Sequence, residues 1–224
     1  MKAREKGKYE YAILTTEHSA FDSYTGEFAQ EIQDMGFETR VFYDHRIVNK
    51  DYEVMFVLSY FKIIPKAFLE LHKHNIVVHG SDLPNGKGWS PITWKVLEGL
   101  DRIPMTLFEV NENVDDGDVY LRDDIKLTGY ELNSEIKHIV AVKSIEMCLK
   151  FLRNYNRIHP QKQIGSESFY RRRTTKDSEL DITKSIAEQF NLLRTVDNNN
   201  YPAFFVIDGH KYTLKIEGGL NAIS

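Results

Sequence analysis

The stretch YEVMFVLSYFKIIPKAFLELHKHNIVVHGS, residues 52–81, joins two apolar strand-like segments through a short helical one. The strand-like segments are residues 52–60 and 75–81, and the helical segment begins at Pro65. Parallel strands need a long crossover, and a helix usually supplies it. This order of segments therefore predicts two parallel strands with the helix packed on one face of their sheet.

The same alternation is present upstream of this unit. Residues 9–16 and 38–44 have the composition of strands, and residues 20–35 that of a helix ended by Gly36. These segments predict an α/β fold with a mostly parallel, twisted sheet and helices on both faces.

Two loops follow the strands of the first unit, LSYFKIIP at residues 58–65 and HGSDLPNGKG at residues 79–88. In parallel sheets ligands bind beyond the carboxyl ends of the strands. We therefore expect the two loops to share one edge of the sheet and to form the ligand site.

The chain continues with a helix that begins at Pro91, for which Ser90 is the predicted N-cap. Strands are predicted over residues 104–110 and 118–127, and a long helix over residues 130–156. These elements complete one large hydrophobic core.

The composition changes after the long helix, where the chain becomes polar and basic. A short helix is predicted over residues 182–193, followed by a hairpin whose turn is Asp208-Gly209. We therefore expect a main catalytic domain, residues 1–157, and a small α+β appendix, residues 158–224, packed on it.

The composition limits the classes of ligand and location. The 224 residues carry a formal net charge of -4, so no global field attracts nucleic acid or acidic membranes. No apolar run approaches the roughly 18 residues of a membrane span, and MKAREKGKYE leads into no signal-type core. The single cysteine, Cys148, lies in an apolar stretch and is predicted to be a core thiol. A cytoplasmic protein is expected.

His79 follows a β-branched segment and precedes a loop stiffened by glycine and proline. On its own, a histidine in this place most often caps a strand, but a titratable ring at a ligand edge also suits an acid, a base or an oxyanion donor. His72 and His74 are close in sequence, yet they lie a strand length away and no carboxylate or thiol joins them. No metal is expected.

The segment VDDGD, residues 114–118, holds three carboxylates around Gly117. It is either a plain turn between strands or a loop that turns one aspartate toward His79. The run YRRRTTKD, residues 170–177, is either a solvated face or a site where an arginine binds phosphate and Tyr170 stacks on a base. No glycine-rich phosphate loop is present, so ATP or NAD chemistry is not expected.

Three ordered motifs, LSYFKIIP, VVHGSDLPNGKGWSPITWKVLEGL and PMTLFEVNENVDDGDVY, resemble the formyltransferase family that uses 10-formyltetrahydrofolate. The matches lie densely over residues 55–125. The later segments GSESFYRRRTTKDSELD and NLLRTVDNNNYPAFFVIDGHKYTL look like its nucleotide-sugar branch, and most like the formyltransferases of pseudaminic-acid-type sugar pathways. The resemblance implies a Rossmann-like formyltransferase fold.

The resemblance also implies the reaction and its residues. A formyl group passes from 10-formyltetrahydrofolate to the amine of a nucleotide-linked deoxy-aminosugar, with His79 and Asp115 as catalytic residues. The residues expected at the folate are Ser59, Tyr60, Ile63, Ile64, Val110, Asn113 and Val114. Those expected at the sugar nucleotide are Ser81, Lys87, Trp89, Tyr170, Arg171, Arg194 and Tyr201.

One position departs from the family pattern. The family places an asparagine two residues before the histidine, where this chain has Val77, and Asn75 lies about 7 Å further along the strand. The replacement for this oxyanion donor is expected from backbone, Ser81, Asn111 or Asn113.

The sequence is also compatible with other functions. Formylation of methionyl-tRNA would use the same chemistry, and we expect such an enzyme to be longer and to carry a basic RNA-binding domain. Hydrolysis of 10-formyltetrahydrofolate, or a non-catalytic folate- or nucleotide-binding module, are the further alternatives. No nucleic acid or membrane partner is expected, whereas the aromatic segment YPAFF, residues 201–205, fits a homodimer interface as well as a core.

Overall fold

The structure, a computed structural model, describes residues 10–219. Its strands are β1 Glu10–Leu14, β2 Glu38–Phe42, β3 Val54–Val57, β4 His74–His79, β5 Lys87–Gly88, β6 Arg102–Glu109, β7 Val119–Lys126, β8 Phe169–Tyr170, β9 Ala203–Ile207 and β10 His210–Leu214. Its α-helices are α1 Thr25–Asp34, α2 Lys66–Leu69, α3 Pro91–Leu97, α4 Asn133–Arg153 and α5 Phe190–Thr195. None of the helices within these residues is long and apolar enough to cross a membrane.

Six strands form the central sheet in the order β2-β1-β3-β4-β6-β7. The strand β1 pairs in parallel with β2 and β3, and β3 pairs in parallel with β4. By contrast, β6 runs antiparallel to β4, and β7 runs antiparallel to β6. The predicted α/β fold with a mostly parallel sheet is confirmed.

Both faces of the sheet are covered, which explains the continuous apolar runs of β1 and β3. Ile13, Phe56 and Ile76 pack on one face with α1 and α4, and Leu14 and Val57 pack on the other with α2. Since side chains alternate along a strand, odd-numbered residues of β4 point to the α2 face. His79 is the last of them.

The structure differs in detail from the sequence predictions at the start of α3 and over residues 182–193. Ser90 is the N-cap of α3 and Pro91 its first residue, as predicted, but the φ of Ser90 is a left-handed 50° and its side chain makes no cap bond. The helix expected over residues 182–193 is reduced to α5, preceded by the 3-10 turn Ala187–Gln189. The Gln189 side chain bonds back to Asp181, which holds this polar stretch in turns instead of a helix.

Near the C-terminus, Leu193, Val196 and Ala203 form a small cluster separate from the two main cores. The turn predicted at Asp208-Gly209 joins β9 and β10, and both of its residues have positive φ. The division of the chain at residue 157 stays a prediction. Cys148 is fully buried, and burial raises the pKa of its thiol, so its prediction as a core residue is confirmed.

Candidate active site

The loop between β6 and β7, residues 110–118, reaches His79 by folding back along β4. Because β6 is antiparallel to β4, this loop leaves the sheet near the start of β4, where the amide of Val110 donates to the Asn75 carbonyl at 2.7 Å. His79 lies at the other end of β4, about 13 Å away. The loop therefore folds back along the strand to bring Asp115 to His79.

His79 is held by the loop that follows it. Its Nε2 lies 2.9 Å from the carbonyl oxygen of Gly86, which assigns the proton of the neutral ring to Nε2. The side chain is 11% exposed and its ring meets Phe108 edge-on. This leaves Nδ1 as the ring nitrogen that can serve a reacting atom.

Asp115 approaches the same nitrogen. Its Oδ2 lies 3.7 Å from Nε2 of His79 and accepts a hydrogen bond of 2.8 Å from the amide of Gly88. A separation of 3.7 Å is an ion-pair distance and too long for a hydrogen bond. The Asp115 carboxylate therefore faces the ring as a charge and not as a hydrogen-bond acceptor.

The backbone around Asp115 explains the glycine of the motif. Asp115 has a φ of 52°, a conformation that Asp tolerates better than most residues. A Cβ added at Gly117 would lie 1.6 Å from the carbonyl oxygen of Glu109, so only glycine lets the loop turn back this closely. The pairing of the two motifs predicted from sequence agrees with this geometry.

Val77 and Asn75 lie on the same face of β4 as His79. Val77 packs with Leu83, Phe108 and Val119. Asn75 is 3% exposed and its Nδ2 donates to the carbonyl of Leu69, at 2.8 Å. The amide of Asn75 is therefore committed to the end of α2 and does not replace the missing family asparagine.

The residues expected at the folate line the α2 face of the sheet edge. Tyr60, Ile64 and Val110 pack partly buried against the α2-side core, and the Tyr60 hydroxyl bonds to His45. Ser59 turns the chain there with a φ of 52°. Tyr60, Ile64 and Val110 therefore present a partly buried apolar surface on this side of the sheet.

Three further residues expected at the folate are Ile63, Asn113 and Val114. Ile63 is 92% and Val114 66% exposed. The side chain of Asn113 donates to Asp116 at 3.3 Å, and its backbone amide donates to Asn111. Exposed apolar side chains at this position suit contact with a bound ligand.

Lys87, which is expected at the sugar, has a side chain that is only 2% exposed, and its role there stays a prediction. Its ammonium donates at 2.7 Å to Asp116 and at 2.7 Å to Glu167. Burial acts to lower the pKa of Lys87, but the hydrogen bonds to these two carboxylates outweigh it and the pKa is raised. Ser81 is also fully buried, and its hydroxyl has no hydrogen-bond partner among the described residues.

The side chains of the basic run, residues 170–177, have different environments. Arg171 forms a two-pronged pair with Asp177 and lies over the ring of Trp94, and the Tyr170 hydroxyl donates to Glu98. Burial and this bond to Glu98 raise the pKa of Tyr170 to about 12. Tyr170 and Arg171 are thus engaged within the protein.

Arg172 is the arginine that sequence reasoning missed. Its guanidinium lies 4.8 Å from the ring centre of Trp89, and Trp89 is 48% exposed. Trp89 follows the Gly88 that bonds to Asp115. An aromatic face and a cation therefore lie together beside the loop that contacts Asp115.

Arg194 and Tyr201 do not join this group. Arg194 is 2% exposed, donates from Nε to Asn191, and lies 3.7 Å from Glu131. Its side chain is engaged within the protein, and its ligand role stays a prediction. Tyr201 is 58% exposed, but its contacts are with Asp197 and Ser178 of the C-terminal part.

The remaining histidines near β4 have separate partners. The Nδ1 of His72 accepts from the Tyr52 amide, and His74 bonds to Glu109 and Tyr120. Over residues 10–219, no three His, Cys, Asp or Glu side chains are arranged to hold a metal ion.

A cavity of about 170 Å³ opens on the other face of the sheet. Val78, Ile92, Val96 and Ile136 contribute apolar walls, and Asn133 contributes a polar one. Ser59, one of the residues expected at the folate, also lines this cavity.

A family model described as "Formyl transferase" matches residues 29–151, more than half of the chain. The chain belongs to the formyl transferase family. The matched residues of this formyl transferase include His79 and Asp115, together with both loops at the edge of the sheet.

Sequence relatives of this formyl transferase include the methionyl-tRNA formyltransferase of Alkaliphilus oremlandii. The two are 32% identical over 156 residues, which cover 67% of this chain and 50% of the relative. This formyl transferase spans about half the length of the curated relatives it matches.

Solved structures with the same fold carry different names. A methionyl-tRNA formyltransferase from Clostridium thermocellum has a TM-score of 0.79 at 22% identity and covers 96% of this chain and 95% of its own. A sugar N-formyltransferase from Shewanella sp FDAARGOS_354 has a TM-score of 0.69 at 12% identity, with 95% and 99% covered. HypX from Aquifex aeolicus in complex with tetrahydrofolic acid has a TM-score of 0.77 at 13% identity, with 93% and 37% covered. Identities this low show the fold of this formyl transferase and not its acceptor.

Proposed function

We propose that this formyl transferase transfers the formyl group of 10-formyltetrahydrofolate to the amine of a nucleotide-linked deoxy-aminosugar. The observation that carries the proposal is the 3.7 Å approach of Asp115 Oδ2 to His79 Nε2. An imidazole beside a carboxylate at the ligand edge of a sheet suits the proton transfers and the oxyanion of acyl transfer.

The apolar surface on the α2 side of the sheet suits the proposed co-substrate. Tyr60, Ile64 and Val110 present a partly buried apolar surface on which a flat heterocycle can lie. When bound there, 10-formyltetrahydrofolate supplies a formyl group attached to a nitrogen. The neighbour that was solved with tetrahydrofolic acid supports this choice.

In the proposed transfer the protein stabilises the oxyanion, stabilises the imidazolium and moves one proton. The uncharged amine forms a bond to the formyl carbon, and the bond from that carbon to N10 of the folate breaks. His79, protonated on both nitrogens, donates from Nδ1 to the oxygen that becomes negative. Asp115 stabilises the imidazolium and takes the proton that the amine loses, directly or through water, and this proton then passes to N10, the leaving nitrogen.

The acceptor is proposed from the pair of Trp89 and Arg172. An exposed tryptophan offers a stacking surface for a nucleobase, and a guanidinium without an ion pair among the described residues offers a phosphate ligand. The net charge of -4 supports a small anionic acceptor over a long polyanion, because local cations suffice for the former.

The test is a panel of amines supplied together with 10-formyltetrahydrofolate, with release of tetrahydrofolate and formation of the formamide followed in parallel. Nucleotide-linked amino sugars should release tetrahydrofolate well above the rate with buffer alone. The His79→Ala variant is the control for chemistry catalysed by this site. Equal release with and without an amine would indicate a hydrolase, and saturable folate binding without turnover would indicate a binding module.

Methionyl-tRNA is the second candidate acceptor, since the relative from Alkaliphilus oremlandii bears that name at 32% identity. The same panel therefore includes methionyl-tRNA at several salt concentrations. A clear preference for it, with activity that falls steeply as salt rises, would replace the sugar in the proposal.

A further inference from the structure

Residues 161–170, here termed the strap, lie against both catalytic loops. Gln161 exchanges two backbone hydrogen bonds of 2.8 Å with Val119, just after the Asp115 loop. At its other end, β8 pairs in parallel with β5 in the His79 loop. The sequence of the strap is polar and resembles a linker, so sequence reasoning missed it.

Gln163 connects the strap to the backbone of the aspartate loop. Its Nε2 donates at 2.9 Å to the carbonyl of Asp115 and at 2.9 Å to the carbonyl of Gly117. Asp115 has a positive φ, a conformation that persists in a non-glycine residue only when surrounding contacts hold it. The two bonds from Gln163 are such contacts.

The strap also holds the partner of His79. The Ser168 hydroxyl accepts a hydrogen bond of 2.8 Å from the amide of Gly86, whose own carbonyl lies 2.9 Å from His79 Nε2. Glu167 shares the buried ammonium of Lys87 with Asp116, the residue next to Asp115. Both members of the catalytic pair are therefore fixed relative to the same segment.

We propose that Gln163 is a positioning residue, which holds the Asp115 carboxylate at its working distance from His79 by bonding the loop backbone on both sides of Asp116. The expected effect of Gln163 on kcat rests on the proposed function, whereas its expected effect on the structure of the Asp115 loop does not. Gln163 itself touches neither ring nor carboxylate; it acts through Asp115.

The kinetic test is a double-mutant cycle. Gln163→Met keeps the length of the side chain and removes both donors, and should lower kcat about tenfold with little change in KM for the formyl donor. Asp115→Asn should lower kcat about a hundredfold. If Gln163 acts through Asp115, the double variant should be no slower than Asp115→Asn alone. Losses that multiply would mean that Gln163 has a general structural role, which overturns the proposal.

Gln161→Met is the matched control, because its side chain is exposed and the substitution leaves the backbone pairing in place. Amide hydrogen exchange over residues 114–119 gives a second measurement that needs no activity. Exchange there should be faster in Gln163→Met than in Gln161→Met. Equal exchange overturns the positioning role, whereas a wild-type protein that formylates no amine contradicts only the proposed function.

Discussion

The side-chain amide of Asn75 donates a hydrogen bond of 2.8 Å to the carbonyl oxygen of Leu69 and so joins β4 to the end of α2. Because this amide is buried and engaged, we expect Asn75→Ala to leave kcat within about twofold of wild type. The variant should lose about 1–2 kcal/mol of unfolding free energy, since the Leu69 carbonyl is left unpaired. Urea unfolding and steady-state kinetics check both parts. A large loss of kcat in a folded variant would mean that Asn75 reaches the site.

Val77 occupies the position at which the family pattern has asparagine, and it packs with Leu83, Phe108 and Val119. We expect Val77→Asn to give no gain in kcat and to cost about 1 kcal/mol of stability, since a polar amide enters a half-buried apolar cluster. Val77→Ala is the control, because it removes apolar contacts without adding an amide. Faster turnover by Val77→Asn alone would indicate that the native site lacks an oxyanion donor.

A separate prediction concerns His79 and Asp115, the proposed catalytic pair. His79→Ala and Asp115→Asn should each lower kcat a hundredfold or more, the usual scale for losing an acid-base or oxyanion group. Asparagine is chosen at position 115 because it tolerates the φ of 52° and removes only the charge. Circular dichroism verifies folding. Near-normal turnover in either variant would remove that residue from the mechanism.

The two neighbouring arginines should behave differently. Arg172→Ala should raise KM for a nucleotide-linked amino sugar about tenfold, through loss of a charge-assisted contact to phosphate, and leave KM for the folate unchanged. Arg171→Ala is the matched control, because its guanidinium is already paired with Asp177. If both variants had the wild-type KM for the sugar nucleotide, the Trp89 and Arg172 surface would not be the acceptor site.

The Arg171 and Asp177 pair predicts a pH dependence of stability. Hydrogen bonding to Arg171 holds the pKa of Asp177 well below its ordinary value of 3.8. A carboxyl with a depressed folded-state pKa adds stability above the unfolded pKa and loses it as the pH falls through the folded pKa. Arg171→Ala should therefore have a lower Tm than wild type at pH 7, and the difference should shrink as the pH falls below about 4. A Tm difference that stays constant down to pH 2 would show that the ion pair is not its source.

Part of the site followed directly from local sequence. The apolar segments on either side of the helix at Pro65 were long enough to predict parallel strands, and His79 lies toward the end of the second of them. A residue at the carboxyl end of a buried strand lies at the edge of the sheet. The place of His79 could therefore be predicted without any distant contact.

Other features depended on distant contacts. Strand composition does not encode direction, so the antiparallel pairing of β6 with β4 was not apparent. Lys87 looked like an exposed cation, because Glu167, which shares its ammonium with Asp116, lies 80 residues away along the chain. Arg171 and Arg172 are identical in type, and only the position of Asp177 distinguishes the paired side chain from the free one.

The reversed direction of β6 makes the segment between Val110 and Asp115 a tether of limited reach. Val110 is bonded at Asn75, and Asp115 must travel about 13 Å along β4 to meet His79. Five residues extend to about 17 Å and four to about 13 Å. A one-residue deletion would thus leave the loop fully extended, with no slack between Val110 and Asp115. A one-residue insertion would keep the carboxylate within reach but lower its effective concentration at the ring.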